Sequence, residues 1–559
     1  MKKFLPVLVI ICMSLLLIFP QLFTEKMIIG ADSVFHFNRF YDASEQIKNG
    51  NFQYFVSLYG FQQSGRIVNA LYGPFFAYFQ GLLVLISGTW FHYQLLSNFI
   101  LYILSGISML LFLKHAKISY WVSVPISVLF MSTYSIQYWT INQGFTSWGT
   151  CIYPLCMIPM IDFVRLKKFS VIPVSLSIAL MTQIHLLSTF MLILMYIPFY
   201  LYYFWFQKEK TKSIVDLIKS ILIYLVLTVN IWIGMFILYR GNNILSPFIN
   251  RNMSQKSIDL DGSYWLSYPQ IFPLLLVVGL VYFILTRSKK TILMKVVFYT
   301  SLVFLLLSTS LIPWTELVKQ NVPFVRLLQF PFRFFVPFTL LYLFYLALLM
   351  NSWVGKRNFY FISIFSILIL GIQTVGNLYY QLGQWENKSF VSRHTYLSTT
   401  PAEARKTFFI KDLSTSLNVL QKTTPDYLPI YKETAHNKYD RYKEEILDKQ
   451  SYFTKETKEN TLKIKWKSNG EEKIHLPVFV YSKTNLIQNG SKLTEYELTD
   501  IGTPIIKQLP GENEVTLQYK TPKYFYFVLF FTILTWVVLA CRFLYLFSKK
   551  RVSILMQKE

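Results

Sequence analysis

Residues 5–23 read LPVLVIICMSLLLIFPQLF, 19 residues without a charge, directly after Lys2 and Lys3. That is close to the ~20 apolar residues a helix needs to cross a bilayer. A basic flank before an apolar stretch also opens a signal peptide, but no small-x-small cleavage site follows, and Gln21-Leu-Phe-Thr24 is a poor substitute. The stretch is therefore read as a retained first transmembrane helix. Comparable runs lie at 93–113, 120–136, 148–164, 170–184, 187–206, 214–239, 269–286, 292–312, 333–352, 359–380 and 523–547. Backbone inside a bilayer must satisfy its own hydrogen bonds, so these runs predict a polytopic α-helical membrane protein of about 12 transmembrane helices.

The remaining composition agrees. Of 559 residues, 53% are hydrophobic and 15% charged, against roughly 25% charged in soluble domains. The net charge of +25 invites a nucleic-acid reading until it is located. Residues 381–520 carry 21 Lys and Arg against 18 Asp and Glu, so nearly all of the excess lies between apolar runs. Lys114/Lys117, Arg165/Lys167/Lys168, Lys208/Lys210/Lys212, Arg287/Lys289/Lys290, Lys356/Arg357 and Lys549/Lys550/Arg551 fall on the same side as Lys2/Lys3. The positive-inside rule makes that side cytoplasmic, with both termini there, and membrane topology rather than nucleic acid explains the charge. The four cysteines, Cys12, Cys151, Cys156 and Cys541, all sit in apolar runs, which excludes a disulfide framework or zinc spacing in the polar segments. The Lys, Ile, Phe, Tyr and Asn bias is that of an AT-rich bacterium.

Residues 71–88 are apolar enough to span, but counting them would invert nearly every basic cluster. Their Tyr-Gly-Pro break and aromatics suit an interfacial or re-entrant helix. Three outer pieces follow: a first loop at 24–92, a second at about 240–268, and a tail at 381–522 ahead of the last span. The chain thus divides into a transmembrane domain at 1–380, an extracytoplasmic domain at 381–522, and a final helix with cytoplasmic tail at 523–559. After about residue 460 the tail alternates, as in Thr461-Leu-Lys-Ile-Lys-Trp and Glu514-Val-Thr-Leu-Gln-Tyr, with Asn-Gly at 469–470 and 489–490. Such alternation with Asn-Gly punctuation predicts an antiparallel β sandwich. Near-neutral charge suits that tail to acceptor docking or a lid.

Acids are scarce enough to enumerate, and none lies at mid-bilayer, which argues against proton- or cation-coupled transport. Glu25, Asp32, Asp42 and Glu45 crowd into the first loop. The segment Ile29-Gly-Ala-Asp32-Ser-Val-Phe-His36-Phe-Asn-Arg39 runs on to Gly50 as one surface helix. Asp32, His36 and Arg39 stand at i, i+4 and i+7 and share a face. The other reading of this spacing is that Asp32 caps the helix while His36 and Arg39 solvate it.

Gly30-x-Asp32-x-x-x-His36-x-x-Arg39, with Lys48-Asn-Gly50 and Leu71-Tyr-Gly-Pro74, resembles the YfhO-type and 6-pyruvoyl-tetrahydropterin-synthase-related bacterial membrane proteins. Asn142-Gln-Gly-Phe-Thr-Ser147, Gln183-Ile-His185-Leu-Leu-Ser188, Leu328-Gln-Phe-Pro-Phe-Arg333-Phe and Asp426-Tyr-Leu-Pro429 extend the resemblance through most of the chain. The layout is similar to GT-C glycosyltransferases, in which an acid in the first external loop is the catalytic base. The resemblance implies an inverting glycosyltransferase with Asp32 in that role.

The residues make an independent case. No P-loop or dinucleotide fingerprint occurs, and outside the cytoplasmic membrane an activated sugar must arrive on a lipid. A polyprenyl (undecaprenyl) phosphate sugar then needs one base for the acceptor hydroxyl and cations for the leaving phosphate. Arg333, with Arg326 nearby, supplies cations at headgroup depth; interfacial snorkelling is the alternative for Arg333. His36, Arg39 and His185 could orient substrate, and either histidine could instead hold a metal. Asn142, Gln143 and Gln183 suit sugar hydroxyls, or else cap helices and bond between them. With seven histidines and no Asp-x-Asp in the first loop, no metal or cofactor is expected. The expected partners are the lipid-linked donor, a wall polysaccharide or teichoic acid acceptor, and the bilayer. The alternatives are a lipid-linked saccharide flippase or exporter, and a non-catalytic scaffold of envelope polymer assembly.

Overall fold

The computed structural model describes residues 4–286, 290–352, 357–387 and 390–556. Lys2, Lys3, Arg287, Lys289 and Lys356, all used in the charge argument above, lie outside the described residues. The chain is mostly helical, with a small β-rich region near its C-terminus. Among the described residues seven helices are long and apolar enough to cross a membrane. They are Leu5–Thr24, Trp90–His115, Thr146–Arg165, Leu186–Trp205, Pro331–Asn351, Tyr360–Glu386 and Lys523–Tyr545. Lys210–Leu227 and Val229–Gly241 form an eighth if one span can bend by 66°. Many of these helices present bare apolar side chains outward: Ile372 is 73% exposed, Phe361 72% and Phe527 71%. Such surfaces demand a lipid environment.

Four expected spans are shorter than read. The helices at Tyr120–Ser132, Val171–Ile184, Phe272–Thr286 and Ile292–Leu307 have 13, 14, 15 and 16 residues. At 1.5 Å per residue they reach only about 20–24 Å, less than the ~30 Å hydrocarbon core. The apolar run at 71–88 forms a helix of 14 residues, Pro74–Ser87.

The elements that build the site come early in the chain. Helix α1 (Leu5–Thr24) is followed by α2 (Ser33–Asn49), α3 (Pro74–Ser87), α4 (Trp90–His115), α5 (Tyr120–Ser132) and α6 (Tyr134–Asn142). Helix α2 stops at Gly50 in the left-handed conformation, whose N–H returns to Ile47 O at 3.3 Å, as the sequence predicts. Its faces are covered almost completely: 12 of its 17 residues are buried, Arg39 and Asp42 among them. A polar helix buried on all sides must have its charges matched locally.

The β-rich region begins at Thr454 rather than near 460. Thr454–Lys458, Thr461–Ser468, Gly511–Tyr519, Thr484–Gln488 and Ser491–Lys492 make one antiparallel sheet in that spatial order. Glu497–Leu498, Pro504–Lys507 and Lys473–His475 make a second. Alternate residues Leu462, Ile464 and Trp466 face Val515 and Leu517 in the core. Asn489 and Gly490, at φ 48° and 86°, turn the hairpin as read. Asn469-Gly470 does not: the strand before it lies in the first sheet and the strand after it in the second.

The tail is not an independent lobe. Its core is continuous with Phe55, Val56, Leu58, Ile67 and Leu71 of the first loop and with Ile237 and Leu238. Phe479 N–H donates to Ser64 O at 2.8 Å, and Ile67 N–H to the Tyr481 hydroxyl at 3.2 Å. The second loop is stitched in as well, with Leu245 N–H on Leu428 O at 2.8 Å and Ile430 N–H on Asn243 O at 2.7 Å. All three pieces expected on one face meet there.

Candidate functional site

Asp32 is the residue before the first turn of α2, with φ −106° and ψ 3°, yet its side chain caps nothing. Of the four first-loop acids it alone is half-buried without a hydrogen-bond partner among the described residues. Asp42 accepts from Tyr59 N–H at 2.8 Å, Gly60 N–H at 3.2 Å and Gln46 Nε2 at 2.8 Å, and so orders the loop. Glu45 pairs with Lys48 at 3.2 Å, and Glu25 is exposed. Burial raises the Asp32 carboxyl to about 6, countered by the Lys422 ammonium, helped by Asp426 and countered again by Arg333. A half-buried carboxylate held between charges and spent on no structural bond is available for proton transfer.

What holds Asp32 is backbone. Its N–H donates to Asn142 O at 3.1 Å, at the end of α6. Gly30 N–H donates to Gln143 Oε1 at 2.8 Å, and the Ser33 hydroxyl donates to the same oxygen. Gln143 reaches this place because it ends α6 in the left-handed conformation, φ 54° and ψ 33°. Gly30 is required by closeness: a Cβ there would lie 2.3 Å from Asn142 Cα. The Asn142 amide donates to the Tyr134 hydroxyl at 2.5 Å. Gln143 is thus a clamp on the Asp32 strap, and Asn142 contributes its carbonyl to the same clamp.

His36 and Arg39 are neither solvated nor open. The His36 ring is 1% exposed, stacked on Phe145 at 5.1 Å and Phe40 at 5.6 Å. Burial, with the Arg39 guanidinium beside it, holds the ring well below the usual imidazole range, so it is neutral and accepts at Nδ1 from Arg39 at 3.2 Å. Arg39 donates further to Tyr72 O at 2.6 Å and Asn69 Oδ1 at 3.0 Å, and lies over the Tyr72 ring at 4.3 Å. The pair fastens residues 69–72 to α2. The fastening matters because Tyr72 itself faces the charges of Asp32, Arg333 and Asp426. Gly73 continues it: at φ 75° it presses against Ile184 O, 2.4 Å from where a Cβ would stand. That contact brings Tyr72 to His185, ring centroids 5.7 Å apart. His185 Nδ1 bonds the Ser188 hydroxyl at 2.8 Å, and the ring feels both Arg333 and Arg39. Gln183 bonds between helices, to Leu227 O at 3.2 Å and Asn230 Oδ1 at 2.9 Å, which satisfies the bend at Thr228.

Arg333 belongs to the site; Arg326 does not join it. Arg333 spends one donor on Leu328 O at 2.8 Å and faces Asp32, Tyr72, Tyr138 and Tyr427 without an ion pair. Arg326 is half-buried on Pro323–Leu328 and makes no hydrogen bond or ion pair among the described residues.

Two contributors come from the tail, where sequence reading placed no chemistry. Lys422 ends a short strand, Leu420–Lys422, paired with Thr395–Leu397. Its ammonium is held by Arg393 O at 3.0 Å and Ser392 Oγ at 3.1 Å, and it is the largest opposing charge on Asp32. Asp426, first residue of a motif already singled out, accepts from Phe248 N–H at 3.2 Å. The buried Arg66 guanidinium donates to Asp426 O at 2.5 Å and Thr424 Oγ1 at 2.7 Å. Nothing in the pattern around Lys422 distinguishes it from the tail's 20 other basic residues. Among the described residues no three His, Cys, Asp or Glu side chains cluster as metal ligands would.

Compared with known proteins, the chain matches no family model and no curated sequence.

Proposed function

We propose that the protein is an inverting GT-C-type glycosyltransferase of about 12 spans, working at the outer face of a bacterial cytoplasmic membrane on a polyprenyl-phosphate sugar. One observation carries this reading: among the described residues the Asp32 carboxylate, at about 6, takes part in no hydrogen bond or ion pair while the charges of Lys422 and Arg333 act on it. Asp32 takes the proton of an acceptor hydroxyl, whose oxygen attacks the anomeric carbon as the bond to phosphate breaks. The lipid phosphate leaves with growing negative charge, which Arg333 and Lys422 stabilise more than they stabilise the ground state. A carboxyl near 6 is mostly ionised at neutral pH yet basic enough to assist. The acceptor is a cell-envelope polysaccharide or teichoic acid. The membrane helices hold the lipid, and the tail supplies part of the charge around the phosphate.

The test is turnover of undecaprenyl-phosphate sugars by the full-length protein in nanodiscs, read as release of undecaprenyl phosphate. Wild-type protein releases it with at least one hexose donor and an envelope-polymer acceptor, and Asp32→Asn does not. Equal release by both would sink the reading.

A further inference from the structure

Next to the charges around Asp32 lies a cavity of different character. The cavity, of about 340 Å³, is walled by residues 27–31, the end of α6, and Gln381, Gln384, Trp385, Phe390, Val391 and Ser392. That size falls at the lower end of small-molecule sites, ~300–1,000 Å³. Gly30 and Ala31 line it, so it begins one residue from Asp32. Among the described residues no charged side chain lines it. Beside it Lys26 and Glu386 neutralise each other at 2.7 Å, and the Arg405 guanidinium, 5.0 Å from the Phe390 ring, is spent on Glu386 O at 3.1 Å and Asn387 O at 2.9 Å.

Its polar groups are amides, an indole and a hydroxyl. Gln381 is half-buried and both atoms of its amide are without a partner among the described residues. Asn142 uses its NH₂ on Tyr134, leaving Oδ1 free. Gln384 accepts from Asn387 at 2.5 Å and keeps its own NH₂. The Trp385 ring is packed edge-on against Phe390 at 5.2 Å, and its N–H has no partner among the described residues. Neutral donors and acceptors around an aromatic wall match a polyol: hydroxyls find partners of both kinds, and ring C–H faces find the indole. Among the described lining residues a phosphate or carboxylate would find no cation, and a lipid chain would strand the amides.

The cavity and those charges meet at one seam. Ser392 lines the cavity, donates to Ala31 O at 3.3 Å and accepts from Lys422 on the other side at 3.1 Å. The strap Gly30–Asp32 therefore stands between the Lys422 side of Asp32 and a cavity whose described lining carries no charge. We infer that this cavity binds a neutral glycosyl unit of the acceptor, presenting its hydroxyl toward Asp32 while the lipid phosphate occupies the Arg333–Lys422 side. The inference rests on the transferase reading for the word acceptor; the glycosyl chemistry rests on the lining alone.

Saturation-transfer NMR on the full-length protein in nanodiscs tests it, with the methyl glycosides of glucose, galactose and N-acetylglucosamine as probes and glucose 1-phosphate as the charged control. At least one methyl glycoside should bind and glucose 1-phosphate should not compete for its place. Gln381→Leu, at a half-exposed position that tolerates the change, should weaken binding about fivefold through lost amide bonds. Trp385→Phe keeps the packing and should also weaken it. Adding undecaprenyl phosphate should leave the glycoside bound. The inference is overturned if no methyl glycoside binds, if Gln381→Leu and Trp385→Phe bind as wild type, or if undecaprenyl phosphate displaces the glycoside, which would give the cavity to the donor. Glycoside binding in a protein that never transfers sugar would remove the transferase reading and leave the glycosyl site standing.

Discussion

Asp32 and Asn142 are tied through their backbones, the N–H of one donating to the carbonyl of the other at 3.1 Å. The contact joins the first loop to the end of α6 and fixes where the Asp32 carboxylate points, while leaving its oxygens free. A base on a rigid strap loses no bond when it takes a proton, which is the preorganisation that proton transfer rewards.

Asp32→Asn removes the base and also the cost of burying its charge. Because the carboxyl stands near 6 instead of 3.8, the native state holds its proton more tightly than the unfolded chain. Its ionisation therefore destabilises the fold fully above about pH 6 and not below about pH 4. Asp32→Asn should be inactive yet more stable than wild type at pH 7.5, by about 1–3 kcal/mol. The two melting curves should converge as the pH falls toward 4. A variant less stable at pH 7.5 would contradict the buried-charge account.

The pH profile follows from the same group. Sugar transfer, as kcat/KM, should fall as pH drops through about 6. Lys422→Met removes the largest charge that favours the carboxylate, so this acid limb should move to higher pH. A limb that stays in place would show that Lys422 only anchors its hairpin.

Arg333→Ala should reduce turnover about 100-fold by removing charge from the leaving phosphate. Arg333→Lys keeps the charge but loses the planar fork, so it should restore only part of the rate. Donor binding should weaken more in the alanine variant than in the lysine one. Wild-type rates in both would return Arg333 to helix anchoring.

Gly30→Ala drives a Cβ into the Asn142 backbone. A shift of the strap by about 1 Å should cost about 100-fold in rate, with expression and the thermal midpoint serving as folding controls. Gly376→Ala, where nothing lies within 4 Å of the added carbon, should be silent. Equal effects would mean that strap geometry is irrelevant.

Topology can be read by labelling intact spheroplasts with a membrane-impermeant maleimide. Ser468 is 6% exposed and bonded to Gly470, so a cysteine there is shielded. Lys492, on an exposed edge strand, is the better position. Lys492→Cys should label without permeabilisation, and a need for permeabilisation would invert the orientation and remove the cell-surface mechanism.

Apolar runs were legible along the chain because a helix satisfies its own backbone and needs only local sequence to do so, but the lengths of the helices were not, and four are shorter than the runs read for them. Also legible were α2, whose end at Gly50 follows from a left-handed stop, and the alternation of Thr461–Ser468. Asp32 stood out because acids are rare outside the tail. The burial of His36 and Arg39 was not legible, since spacing on one helix face does not say whether that face meets water or Phe145 and Tyr72. Nor was the role of Gln143, whose amide crosses 113 residues to Gly30. Lys422 lies 390 positions from Asp32 and reaches it only because the tail and the first loop share one hydrophobic core. Local hydrogen bonding and hydropathy were written in the order of residues. Which charge faces which carboxylate was decided by the packing of distant segments, and that packing has no local signature.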